Sequence, residues 1–308
     1  MKEFLKKILF GSTSINEYVT VTTAAIQEKV ILKVGYTTID VSSNQWLLCL
    51  DPIVLGVWMI NDNTLPELKS HKKASLHFSL SKSKKASTII NTELIETIKE
   101  KDGKLYLLKA LKSKLHHINP VSLQFLFSKH YKKPQWPFDK YASLVAAYSY
   151  PRKVRLVSFK EDGYFNIFPM DLLGDLSQCG RFAFGLRHTN SALSRIIKTK
   201  KMVVCEIAFD RKDVVYQLGK HHSSGPPSIE SLPFNVLQTE QFGFYIPDWT
   251  ESYKEIQIIN TINLGSHMLL WGEVLNEKKL TGSTNGLYHI HFLESVYLKK
   301  NGLSYQGV

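Results

Sequence analysis

Between Gly185 and Lys201 the chain reads GLRHTNSALSRIIKTKK. Arg187, His188 and Thr189 set a guanidinium, an imidazole and a hydroxyl on successive positions, and Thr189, Asn190 or Ser191 can then open a helix by accepting a backbone N–H. Leu193, Ile196 and Ile197 recur at i, i+3 and i+4, the spacing of one apolar helix stripe. A helix start offers free N–H groups and partial positive charge, and an arginine fork matches phosphate oxygens. The corner therefore has the composition of a small phosphate cradle. It also has that of an ordinary capped helix beside a surface arginine, and these residues alone do not separate the two.

Other clusters carry less. His289 and His291 put two imidazoles on one strand face, but the spacing supplies no third metal ligand beyond a guess at His267, so no metal is expected. GKHHSSG, from Gly219, lacks the upstream glycine of a phosphate-binding loop and the Ser or Thr directly after its lysine. His221, His222, Ser223 and Ser224 read instead as the polar end of a helix. GSTS and GSTNG lack the spacing of a nucleophile elbow. Cys49, Cys179 and Cys205 lie too far apart for a zinc site or a disulfide framework, which points to a reduced, cytoplasmic protein. Cys205 and Trp271 read as packing residues. No general acid or base stands out, and no catalytic residue is nominated.

The elements that must position the corner are mostly strands. EYVTVTT, KVILKV, YTTIDV, ASLHFSL, KVRLVSF, MVVCEIAF, FGFYI, EIQIINTI, HMLLWGEV and LYHIHFLESVYL are short and rich in β-branched or aromatic residues. Helical patterns are fewer: NTLPELKSHKK, TELIETIKE, VSLQFLFSKHY, NSALSRIIKTKK and DVVYQLGKHHS. An internal repeat joins the two halves. The run from Val54, VLGVWMINDNTLPELKSHKKASLHFSL, aligns without gaps on the run from Phe182, FAFGLRHTNSALSRIIKTKKMVVCEIA. Leu65 then faces Leu193, Leu68 faces Ile196, and Lys72–Lys73 face Lys200–Lys201. Met59, Ile60 and Asn61 take the places of Arg187, His188 and Thr189, so the first half lacks the cation.

Length and charge agree with this. At 308 residues the chain favours two domains, with a boundary between KKPQWPFDKY and Pro151. The net charge of +12 attracts anions, but the lysines are dispersed, without the arginine–aromatic interleaving of a nucleic-acid surface. The longest apolar run, QWLLCLDPIVLGVWMI, is broken by Asp51 and Pro52 and is too short to span a bilayer. MKEFLKKILFGSTS reads as a short amphipathic helix rather than a secretory signal.

In the second half, Asp162-Gly163 closes a strand, and Asn166 and Pro169 follow on the next. A further strand leads to Arg187–Thr189, then come the helix, the VVCEI strand, and GSHMLLWGEV with His267. This ordered series, from about Pro151 to Tyr305, resembles the flavin-reductase-like family of FMN-binding split barrels. The resemblance implies a mainly β protein of two tandem split β-barrels, antiparallel with Greek-key connections and a few covering helices. Residues 1–148 would be a degenerate barrel and residues 149–308 the FMN-binding one, the two forming a pseudo-dimer in place of the family's homodimer, with further oligomerisation left open. The resemblance places Asn166, Pro169, Met170 and Asp171 along the flavin, Arg187, His188, Thr189 and Asn190 at its phosphate, and His267 on a bordering strand. FMN, or FAD, would accept hydride from NAD(P)H, and reduced flavin could pass to a partner oxygenase. The run PMDLLGDLS departs from the family, which commonly has small hydroxyl residues after the proline. A carboxylate at Asp171 is unfavourable beside a phosphate unless it faces away or meets Arg187. The alternative is therefore a non-catalytic split-barrel scaffold for a protein or another anionic ligand.

Overall fold

A computed structural model describes residues 2–10, 15–60, 72–80, 83, 85–128, 136–221, 225–226, 228–282, 285–303 and 305–307. Helix α1 (Lys2–Phe10) and strand β1 (Tyr18–Val21) come first. They are followed by β2 (Glu28–Val34), β3 (Thr37–Asp40), β4 (Gln45–Leu50), β5 (Ile53–Ile60), β6 (Lys73–Leu80), β7 (Thr88–Glu100) and β8 (Gly103–Leu115). Helices α2 (Pro120–Leu126) and α3 (Phe138–Ala147) lead to β9 (Arg152–Lys153), β10 (Arg155–Glu161), β11 (Tyr164–Met170), β12 (Leu173–Leu176) and β13 (Arg181–Arg187). Then come α4 (Ala192–Thr199), β14 (Lys201–Glu206), α5 (Lys212–Leu218), β15 (Val236–Gln238) and β16 (Tyr245–Pro247). The chain closes with β17 (Ser252–Asn263), β18 (His267–Lys279), β19 (Tyr288–His291) and α6 (Phe292–Lys300).

Two seven-stranded antiparallel sheets dominate. One runs β3-β2-β6-β7-β8-β5-β4 and the other β11-β10-β14-β17-β18-β13-β12, the same order once each strand is replaced by its counterpart. The likeness extends to irregularities. In the β7–β8 hairpin the ladder skips Leu111 and Ile95. In β17–β18 it skips Leu275 and Ile259, at matching positions. Lys72 and Lys200, aligned in the sequence repeat, both have left-handed backbones, with φ of 54° and 55°. Each carbonyl accepts from the matching long strand, Leu94 N at 2.7 Å and Ile258 N at 2.8 Å. These ladders correct the gapless alignment by one position on β5. Ile60 pairs with Gly103 where Arg187 pairs with His267, so Ile60 rather than Met59 takes the place of Arg187. Asn61, Asp62 and most of NTLPELKSHKK lie outside the described residues, as do His222, Ser223 and Ser224.

Two expected elements differ. TELIETIKE imitates a helix through Leu94 and Ile98, but they pair with Leu108 and Leu105 in an extended hairpin. The long ladder overrides local spacing there. LYHIHFLESVYL is a strand only to His291, whose Nδ1 accepts from Leu293 N at 3.1 Å and caps α6. Helix α3, which follows Pro137, was not anticipated.

One hydrophobic core joins the sheets, with Leu47, Val57 and Tyr106 from the first and Phe168, Phe184 and Ile256 from the second. The backbones meet closely: a Cβ added at Gly185 would lie 1.7 Å from the carbonyl oxygen of Leu48. Polar bonds also cross. Trp271 Nε1 donates to Glu100 at 2.9 Å, Arg181 pairs with Glu100 at 3.0 Å, and Ser266 N donates to the Asp51 carbonyl at 2.6 Å. Strand β1 pairs with β19, and β19 with β9, so the N-terminal strand sits on the C-terminal one. Among the described residues no helix is long and apolar enough to cross a membrane.

Candidate functional site

Strand β13 buries Phe182, Phe184 and Leu186 and then delivers Arg187, His188 and Thr189 to the surface. The chain turns through an Asn190 N–H bond to the Arg187 carbonyl at 3.0 Å, and the Asn190 side chain accepts from Ala192 N at 2.9 Å. Asn190 is thus a buried helix cap, while Arg187 and Thr189 remain exposed. Helix α4 docks through Ala192, Leu193 and Ile196, and Ile197, expected in the same stripe, faces outward. His188 N donates to the Ser266 carbonyl at 3.2 Å, and its Nε2 lies 3.2 Å from Asn263 Oδ1.

His267 stands opposite Arg187 in the ladder and is 1% exposed. Its Nδ1 is 2.7 Å from Ser266 Oγ and 3.5 Å from the Cys49 sulfur of the first half. Burial, reinforced by the charges of Arg187 and His188, lowers its pKa to about 4. The ring is therefore neutral near pH 7. Its Nε2 has no hydrogen-bond partner among the described residues.

Arg187, His188, Thr189 and His267 line one cavity of about 400 Å³. That volume falls within the range of about 300–1,000 Å³ usual for small-molecule sites. The facing wall comes from the first half: Tyr18, Leu50, Trp136 and Leu144 are apolar or aromatic, and Glu17 and Asp51 bring carboxylates. Lys140 pairs with Asp51 and lies 4.3 Å over the Trp136 ring. A cationic, hydroxyl-bearing corner thus faces an aromatic and apolar wall, which suits an anion attached to a flat ring.

The other nominated residues lie outside this cavity. Asn166 is wholly buried, Met170 belongs to the core, and Pro169 lies against Gly219. Asp171 does not meet Arg187, and its side chain is 18% exposed. Its Oδ2 accepts from Tyr148 Oη at 3.0 Å and from His289 Nδ1 at 2.9 Å. Burial pushes this carboxyl up, but the hydrogen bond and charge of His289, with the Tyr148 hydroxyl, outweigh it and leave the pKa below the usual range. His289 Nε2 lies 2.6 Å from Tyr216 Oη. His289 thus serves an Asp–His–Tyr chain, and the described residues hold no cluster of three or more His, Cys, Asp or Glu side chains placed for a metal ion. The Tyr148 ring packs 4.5 Å from Tyr18, which lines the cavity. Tyr18 and Trp136 were missed as site residues because strand and boundary patterns claimed them. The pairing of Trp136 with Lys140 one helical turn later was the available signal.

No protein-family model matches the chain, and no curated protein does. Among solved structures the chain is similar to an FMN-binding protein from Thermus thermophilus with bound p-hydroxybenzaldehyde, at 18% identity and TM-score 0.37, over 42% of this chain and 73% of that one. It is similar to BorF, the flavin reductase component of a bacterial two-component tryptophan halogenase, at 13% identity and TM-score 0.44, over 49% and 94% of the two chains. A Streptomyces globisporus NADH:FAD oxidoreductase shares 13% identity at TM-score 0.43, over 50% and 90%.

Proposed function

We propose that the chain binds FMN in the cavity between its halves and is a flavoprotein of the flavin-reductase type. The carrying observation is that Arg187, His188, Thr189 and His267 converge on one cavity walled by Tyr18 and Trp136. In this reading Arg187 forks onto the phosphate, Thr189 adds a hydroxyl donor, and neutral His267 offers Nε2 without bringing a charge. Tyr18, Leu50 and Trp136 hold the ring and exclude water. When bound, FMN supplies the acceptor for a hydride from NAD(P)H, and the protein supplies orientation and electrostatics. The organisation we propose is a pseudo-dimer: residues 1–148 stand where a second subunit would, and residues 149–308 carry the phosphate corner. Reduced flavin would then be available to a partner oxygenase.

The placement of Asn166, Pro169 and Met170 outside the cavity favours a second reading, a scaffold that binds an anionic ligand without redox turnover. A visible absorption spectrum after FMN addition and desalting tests both. Retained flavin bands with NAD(P)H oxidation support the reductase. Retained bands without oxidation leave a flavin-binding protein that is no reductase, and a colourless protein at saturating FMN puts the scaffold in the reductase's place.

A further inference from the structure

A second cavity, of about 280 Å³, lies where corresponding strands of the two sheets meet, between β4 and β12 and beside Tyr150–Arg155. We propose that it binds a small organic monocarboxylate with an apolar body. This does not depend on the flavin reading. Arg152, 4% exposed, donates from Nε at 2.9 Å and Nη2 at 2.7 Å to the Ala147 carbonyl, and from Nη1 at 2.7 Å to Gln45 Oε1. These acceptors are neutral, and the bonds do not exhaust the guanidinium's donors. Among the described residues no carboxylate lies within ion-pair distance of Arg152, and the charge of Asp171 acts on it only from farther off. Its neighbours differ: Arg155 is paired with Glu206 and Asp175, and Lys153 with Glu206 at 2.6 Å.

Gln45 is 2% exposed. Its Oε1 is committed to Arg152, which fixes the amide, and its Nε2 has no partner among the described residues. A buried cation with only neutral acceptors and a buried unpaired donor therefore line the same cavity, and both are costly without an acceptor. An acceptor-only anion satisfies both at once. Trp46, Leu47 and Leu173 supply apolar wall for the rest of the ligand. Two carboxylates also line the cavity, and both are engaged: Asp171 by Tyr148 and His289, Asp175 by Arg155 and by Lys254 at 2.7 Å. Their presence favours a singly charged carboxylate over a phosphate dianion.

The test is isothermal titration calorimetry of the full chain carrying Arg187→Ala, which disables the other anion corner, with benzoate as ligand and benzyl alcohol and inorganic phosphate as comparisons. Benzoate should bind and the other two should not. Gln45→Glu keeps the side-chain shape, pairs Arg152 internally and removes the spare donor, so it should weaken benzoate about tenfold or more while remaining folded. The proposal is overturned if this chain does not bind benzoate, if benzyl alcohol or phosphate binds as well, or if adding Gln45→Glu leaves benzoate binding unchanged.

Discussion

Arg187 is exposed at the end of a strand whose preceding residues are core, so its removal should cost binding rather than stability. Arg187→Ala is expected to weaken FMN about ten- to hundredfold, the loss of charge-assisted hydrogen bonds to phosphate. Fluorescence titration with FMN and a melting curve check both halves of that statement. Equal affinity in the variant would remove the corner from the site. Two buried titratable residues should shape stability against pH. Burial, partly offset by the Tyr305 hydrogen bond, raises the Glu28 pKa from 4.5 to about 7. The folded chain holds this proton where the unfolded chain has released it. Its contribution is therefore full below pH 4.5 and is lost as pH rises through about 7. Burial lowers the His291 pKa from 6.5 to about 3, so its contribution is present above 6.5 and lost as pH falls toward 3. Urea unfolding at about pH 5 and pH 8 should show Glu28→Gln gaining on wild type, by a few kcal/mol, at the higher pH only. A gain equal at both values would mean that Glu28 does not titrate in this window.

At the scale of elements, β13 ties the corner to the first half, because its Gly185 backbone lies against Leu48 of β4. Gly185→Ala should separate these strands and lower stability by about 3 kcal/mol or more. Gly282→Ala, where an added Cβ meets nothing within 4 Å, should be near neutral. Thermal unfolding compares the two, and a near-neutral Gly185→Ala would show that β4 and β13 can part freely. This contact was invisible in the sequence, since nothing local to Gly185 marks Leu48 as its neighbour. The repeat was legible because Lys72–Lys73 and Lys200–Lys201 follow matching patterns and begin matching strands, with Lys72 and Lys200 sharing a left-handed backbone. Its register slipped by one on β5, since the apolar run IVLGVWMI offers no polar marker against which to count. The corner was legible for the opposite reason: Arg187, His188 and Thr189 end an apolar strand abruptly. Tyr18, Leu50 and Trp136 were not, because a wall built from distant segments leaves no spacing to read.

For the whole molecule, the two sheets repeat one strand order but are not interchangeable. Ile60 and Gly103 stand where Arg187 and His267 pair, so only one of the two corresponding corners carries a cation opposite a histidine. The first half instead contributes wall to the other's cavity, and it shares the main core with the second half. Strand β19 takes β1 as a neighbour, and Cys49 approaches His267. A chain of residues 149–308 alone would expose these surfaces and lose Tyr18, Leu50 and Trp136 from the cavity. It is expected to be insoluble or aggregated, and adding residues 1–148 as a separate chain during refolding should restore both solubility and FMN retention. Sedimentation and the desalting spectrum read the two outcomes. A soluble 149–308 fragment that holds FMN as tightly as the full chain would show that the first half is a neighbour and not a wall.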